Sequence, residues 1–171
     1  RIASAQATAI HRIVIWRTVA TMHTLEMYRL DGRVALVTGG GHGIGRHMSI
    51  GLAEAGADVI VVGRKLPPLQ EVAEAIEAMG RRCWVLQADV SDTQSIDVLV
   101  ATVAERVERL DILVNNAAMV WTAPTLDYPL SGWDKVFNLN VRGLFYLSQQ
   151  LAKRMKAQGC GSIINISSIS A

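Results

Sequence analysis

Cysteine is almost missing from this 171-residue chain, and the two present, Cys83 and Cys160, match no metal-ligand or CxxC spacing. With no secretory signal ahead of them, they are expected to be buried free thiols. That points to a reducing, cytoplasmic setting and away from a disulfide scaffold or a metal site. A surplus of charge is missing too. The formal net charge is +2, but four of the 17 Lys and Arg residues and one of the 15 Asp and Glu residues fall within residues 1–30, leaving 13 and 14 for the rest. A near-neutral body argues against a nucleic-acid partner. No internal repeat or low-complexity linker occurs. What the chain has in quantity is apolar side chains, half of all residues against 19% charged. That is enough to bury one sizeable core in a single soluble domain.

Residues 1–30 stand apart. The stretch has no acid before Glu26, and His11, Arg12 and Arg17 interrupt its apolar run. It therefore falls short of the ~20 apolar residues that a membrane span requires. It reads as upstream sequence ahead of a start at Met22 or Met27, expected to be disordered in large part. An Arg-bearing, acid-poor organelle transit peptide is the alternative, and would make the setting organellar. Residues 31–171 are expected to form the folded domain.

From Asp31 onward short apolar runs alternate with segments of helical period. RVALVTG, DVIVVG, CWVLQADV, DILVNNAA and GSIINISS are rich in β-branched residues without strict alternation, as buried strands are. Between them Ile44, Met48, Leu52 and Ala55 recur at helical spacing. So do Leu69, Val72, Ala73, Ile76 and Met79, and then Ile96, Leu99, Val100, Val103 and Val107. Pro67 and Pro68 open the second helix, Ser91 and Gln94 have capping-box spacing, and Gly56 and Gly80 follow helix ends. The β-α-β-α-β-α-β-α-β order predicts a doubly wound α/β fold, a parallel sheet between two helix layers.

The stretch TGGGHGIG, residues 38–45, falls between the first strand and the first helix. At that turn in such a sheet, helix N–H groups face a ligand phosphate and side chains would block its approach. No frame gives GxGxxG, and no Lys-Ser/Thr follows as a nucleotide-triphosphate loop requires. The spacing is TGxxxGxG, through Thr38, Gly39, Gly43 and Gly45. The alternative is a turn that is merely rich in glycine.

Four further motifs follow in order: Asp89-Val90, Asn115-Asn116-Ala117-Ala118, Asn140 within NLNVRG, and Asn165-Ile-Ser-Ser168. Together with the glycine stretch they resemble the short-chain dehydrogenase/reductase family, from about residue 31 to the end. The resemblance implies a Rossmann fold and hydride transfer between a nicotinamide cofactor and a carbonyl or alcohol. It implies cofactor contacts from Thr38, Gly39, Gly41, His42, Gly43, Ile44 and Gly45, adenine contacts from Asp89 and Val90, and a cofactor path lined by Asn115, Asn116 and Ala117.

Cofactor choice turns on the end of the second strand, where an acid would accept from the ribose of NAD and a cation would hold the extra phosphate of NADP. The sequence there is Val62-Gly63-Arg64-Lys65, with no carboxylate. Arg64, helped by His42 or Lys65, therefore points to NADP(H), with NAD(H) possible if both cations are only solvated loop residues. Asn140 shares a helical face with Val136 and Leu144, so its amide must find partners or work. The resemblance gives it a water-linked proton relay. Trp133, Phe137, Phe145 and Met155 read as core or subunit contact, and Trp121 and Pro124 as candidate pocket residues.

Ser168 matches the family's catalytic serine, whose hydroxyl bonds the substrate oxygen. The family's Tyr and Lys follow that serine by more residues than the three remaining here, and Tyr128 and Tyr146 are misplaced for the role. The chain thus reads as the cofactor half of an oxidoreductase, its C-terminal strands missing and turnover absent. The complete form is expected to act on a small carbonyl or alcohol and to assemble as a homo-oligomer. The alternative is a non-catalytic dinucleotide-binding or protein-interaction module.

Overall fold

The structure, a computed structural model, describes residues 24–168. The expectation for residues 1–23 lies outside them. A short 3₁₀ turn at Thr24–Tyr28 precedes the body, and Leu30 already packs against the core. Among the described residues no helix is long and apolar enough to cross a membrane.

Five strands form one parallel sheet: β1 (Val34–Thr38), β2 (Asp58–Gly63), β3 (Cys83–Gln87), β4 (Ile112–Asn115) and β5 (Ser162–Asn165), in the order β3-β2-β1-β4-β5. Each of the five apolar runs supplies one strand. The sheet's central strand shows why its sequence is continuously apolar. Leu36 of β1 joins one core cluster, while Ala35 and Val37 join the other on the opposite face. Helices α1 (Gly43–Glu54) and α2 (Leu66–Glu77) cover the second face through Ala53, Leu69, Val72 and Ile76. Helix α3 (Thr93–Arg106) covers the first through Ile96, Leu99 and Val103. The fold is the three-layer, doubly wound arrangement that the element order dictates.

Several expectations need correction. The buried face of α1 is Gly45, Ser49 and Ala53, with Met48 and Leu52 only partly buried and Ile44 63% exposed. Small residues face the sheet because the glycine turn brings α1 very close to it. Ser91 does not cap α3; Asp92 does, its carboxylate accepting from the Gln94 and Ser95 N–H groups. Met79 lies past the end of α2 and is exposed. Strand β5, which among the described residues pairs with β4 alone, is exposed along its length. Neither cysteine is fully buried. Cys83 is half-buried, and its burial pushes the thiol pKa up to about 12, while Cys160 is exposed.

The expected fourth helix is three segments: α4 (Leu130–Phe137), a π-helical stretch (Asn138–Gly143) and α5 (Leu144–Ala157). Leu147, Leu151 and Met155 of α5 enter the core. Trp133, Phe137 and Phe145 do not, being between 41% and 64% exposed. The wider π turn disrupts the 3.6-residue period on which the single-helix reading relied.

Candidate functional site

The carboxyl ends of β1 to β4 border a cavity of ≈ 410 Å³. It lies where the strand order reverses, on either side of β1, the place at which open α/β sheets bind ligands. Gly39, Gly41 and His42 line it from the glycine turn, and Arg64 and Lys65 from the end of β2. Asp89 and Val90 close it after β3, and Asn116 and Ala117 after β4. Val62, Gly63, Ala88, Ala118, Pro68, Leu69 and Leu139 complete it. Leu69 and Leu139 had no signal in the sequence beyond apolar helix positions. Trp121 and Pro124 are not lining residues. The Trp121 ring instead lies against Gly132, with the Lys135 ammonium 5.1 Å above it.

The turn is held by hydrogen bonds that use the expected site residues as structure. Thr38 is buried, and its hydroxyl accepts from the Asn116 and Ala117 N–H groups, each at 3.0 Å, while donating to the Val114 carbonyl at 3.3 Å. The Asn116 amide returns the contact, donating to the Thr38 carbonyl at 3.0 Å. Gly39 adopts φ +65°, and a Cβ on Gly45 would stand 2.3 Å from the Gly39 oxygen. That contact fixes glycine at position 45 and lets α1 begin directly behind the turn. His42 is the residue before α1 and makes no side-chain cap bond. The first-turn N–H groups therefore lack a capping side chain, as an anion-binding helix start requires. Gly43, Ile44 and Gly45 are the first residues of that helix and do not line the cavity.

At the other end, Arg64 and Lys65 are exposed cations on the cavity wall. The first turn of α2 contains Pro67 and Pro68, which carry no N–H. An anion there must be held by side chains. Gln87 donates to the Arg64 carbonyl at 2.9 Å, tying this loop to β3. Burial opposes ionisation of Asp89, but hydrogen bonds from the Ser91 hydroxyl and N–H and the charge of Arg64 outweigh it. The carboxyl is held below its ordinary pKa.

Asn115, expected on the cofactor path, is buried at the end of β4 and does not line the cavity. Its Nδ2 donates to the Ser148 hydroxyl at 2.8 Å and to Asn165 Oδ1 at 2.9 Å, joining β4, α5 and the end of β5. Asn140 sits in the π-helical stretch and spends both ends of its amide on one residue. Its Oδ1 accepts from the Met119 N–H at 3.0 Å, and its Nδ2 donates to the Met119 carbonyl at 2.8 Å. It fixes the loop that carries Ala117 and Ala118. Ser168 lies three residues beyond β5, is exposed, and is not a lining residue. No group of three His, Cys, Asp or Glu among the described residues could hold a metal ion.

Comparison with known proteins agrees with this architecture. The family described as short chain dehydrogenase matches residues 33–171. The chain is 40% identical over 146 residues to the 2-dehydro-3-deoxy-D-gluconate 5-dehydrogenase of Dickeya dadantii, covering 85% of this chain and 57% of that protein. It superposes on a short-chain type dehydrogenase/reductase from Mycobacterium marinum with a TM-score of 0.83 at 34% identity, over 87% of this chain and 61% of the other. A gluconate 5-dehydrogenase from Burkholderia cenocepacia, in complex with NADP and tartrate, gives a TM-score of 0.80 at 36% identity, over 85% and 57%. The chain thus spans about 57% of the length of the curated relatives it matches. With the family match reaching from residue 33 to residue 171, the chain belongs to the short chain dehydrogenase family.

Proposed function

We propose that this chain is the cofactor-binding portion of an NADP(H)-dependent oxidoreductase, which moves a hydride between the nicotinamide and a carbonyl or alcohol carbon of a small molecule. The observation that carries this reading is the composition of the cavity wall. Glycines and an uncapped helix start lie at one part of it, and Arg64 and Lys65 at the end of β2. The NADP found in the gluconate 5-dehydrogenase complex supports the choice.

The residues divide the work. Gly39, Gly41, Gly43, Ile44 and Gly45 let the pyrophosphate approach the N–H groups of α1. Arg64, with His42 and Lys65, holds the 2′-phosphate, since Pro67 and Pro68 leave the start of α2 short of backbone donors. Asp89 and Val90 border the base, and Asn116 and Ala117 the nicotinamide side, on a path set by Thr38. When bound, the cofactor supplies or accepts the hydride. Ser168 donates to the substrate oxygen, and Asn140 keeps the Met119 loop in place beside the proton path. NAD(H) would find no ribose acceptor at the end of β2.

No Tyr in the 171 residues is followed four positions later by Lys. These residues by themselves are therefore proposed to bind the dinucleotide without turnover. Trp133 and Phe137 stack at 4.2 Å on the outside of α4, and with Val141 and Phe145 they form an exposed apolar stripe suited to a homo-oligomer contact. The two free thiols fit a reducing, cytoplasmic setting.

Calorimetric titration of the chain with NADPH and NADH tests the reading. NADPH is expected to bind more tightly, and Arg64→Asp to weaken NADPH about tenfold or more while sparing NADH, as loss of a charge-assisted phosphate contact requires. Equal loss for both cofactors, or binding of neither, would overturn it.

A further inference from the structure

The segment between β4 and α4, residues 116–129, carries Ala117 and Ala118 of the cavity wall. Val120 and Leu126 within it are 78% and 98% exposed, so burial of those side chains does not hold it in place. The ring of Trp121 is packed instead. It lies on Gly132, the third residue of α4, so closely that a Cβ there would stand 2.8 Å from the indole Cγ and 2.9 Å from Cδ1 and Cδ2. Lys135 follows about one turn later on the same face, and its ammonium is 5.1 Å from the ring centroid, within cation–π range. The Tyr128 hydroxyl donates to the Trp121 carbonyl at 3.3 Å. Two residues earlier, Asn140 bonds the N–H and carbonyl of Met119. Glycine weakens a helix relative to alanine. In this eight-residue helix the seat it provides for an indole accounts for its presence.

We propose that Trp121, Gly132 and Lys135 are positioning residues, a clamp that sets the cavity wall at Ala117 and Ala118 for the nicotinamide half of the cofactor. The inference rests on the dinucleotide reading above and adds to it the device that places one end of the site. None of the three residues lines the cavity, so they act through the loop. Thr38 holds Asn116 and Ala117 from the β1 side. Asn140 fixes the Met119 backbone at one point, about which the chain can still turn. The Trp121 ring, two residues on, is a second point on the same helical segment and removes that rotation. Held at both, the wall stays at one distance from the glycine turn, and the nicotinamide binds without first having to order it. The adenosine half of the cofactor meets Arg64, Lys65 and Asp89 at the other end of the cavity and draws no support from this loop.

The test compares NADPH with adenosine 2′,5′-bisphosphate, which keeps the adenosine and the 2′-phosphate and lacks the nicotinamide half. Calorimetric affinities of the 171-residue chain are measured for wild type, Gly132→Ala, Lys135→Met and Lys135→Arg. Gly132→Ala, whose methyl unseats the ring, is expected to weaken NADPH about fivefold or more and to leave the bisphosphate within about twofold of wild type. Lys135→Met keeps most of the stem but loses the charge, and lowers the NADPH affinity alone by about two- to fivefold, the size of an exposed cation–π contact. Lys135→Arg, which restores a cation over the ring, returns it. Equal losses for both ligands would reduce the clamp to a general support of the fold and overturn the inference, as would a ratio of the two affinities unchanged in both Gly132→Ala and Lys135→Met. A wild type that binds the bisphosphate as tightly as NADPH would overturn it as well, while leaving the 2′-phosphate reading intact. If wild type binds neither, the dinucleotide reading itself fails.

Discussion

At the scale of single residues, the site is built from contacts that leave no room for alternatives. A Cβ at Gly45 would meet the Gly39 oxygen at 2.3 Å and Asn116 Nδ2 at 2.4 Å, both parts of the turn that borders the cavity. Overpacking of this kind costs about 1–3 kcal/mol where the surroundings can shift, and here the obstacles are a carbonyl and an amide that are already hydrogen-bonded. Gly45→Ala is therefore expected to lower the thermal midpoint by several degrees and to abolish NADPH binding. Calorimetric melting and titration of the same sample check both. The glycines were legible in the sequence because a turn next to a phosphate admits few other residues. The part played by Thr38 was not, since no spacing shows that a hydroxyl will be shared between two N–H groups after β4.

Among the elements, all five strands were readable as apolar runs, most plainly β1, β2 and β4, since covering both faces of a parallel sheet demands an uninterrupted apolar run. The region from Leu130 to Ala157 was not, because its period is broken. Its π-helical stretch brings Gly143 so close to the loop after β3 that a Cβ there would overlap the Val90 carbonyl. The same stretch carries Asn140, whose bonds to both polar atoms of the Met119 backbone span 21 residues of sequence. A contact of that range leaves no mark in local spacing. Asn140→Ala strands a partly buried N–H and carbonyl, and is expected to cost about 1–3 kcal/mol. Urea denaturation would show it as a lower midpoint with an unchanged slope. An unaltered midpoint would mean that the Met119 loop is held without it.

Over the whole molecule, the two edges of the sheet carry different chemistry. The carboxyl edge holds the cavity, while the amino edge is tied by buried carboxylates to arginines. Asp58 pairs with Arg82 at 2.7 Å, and Asp111 accepts from Arg33 at 2.8 Å and from the Val34 N–H at 3.0 Å. Burial would raise the pKa of Asp111, but hydrogen bonds from Arg109, the Val34 N–H and Arg33 hold it below the ordinary carboxylate value. A carboxylate depressed on folding contributes fully above its unfolded value of about 3.9, and that contribution is lost as the pH falls through the lower folded value. Stability is therefore expected to decline below about pH 4, with Asp111→Asn less stable at neutral pH and less steep in acid; equal acid slopes would contradict this. A dinucleotide bound at the carboxyl ends of the strands would show in backbone amide NMR of the chain during NADPH titration. Shifts confined to the glycine turn, Arg64 and Lys65, Asp89 and Val90, and Asn116 and Ala117 are the expected result. An unchanged spectrum, or shifts centred on the exposed face of α4 and the edge of β5, would contradict it.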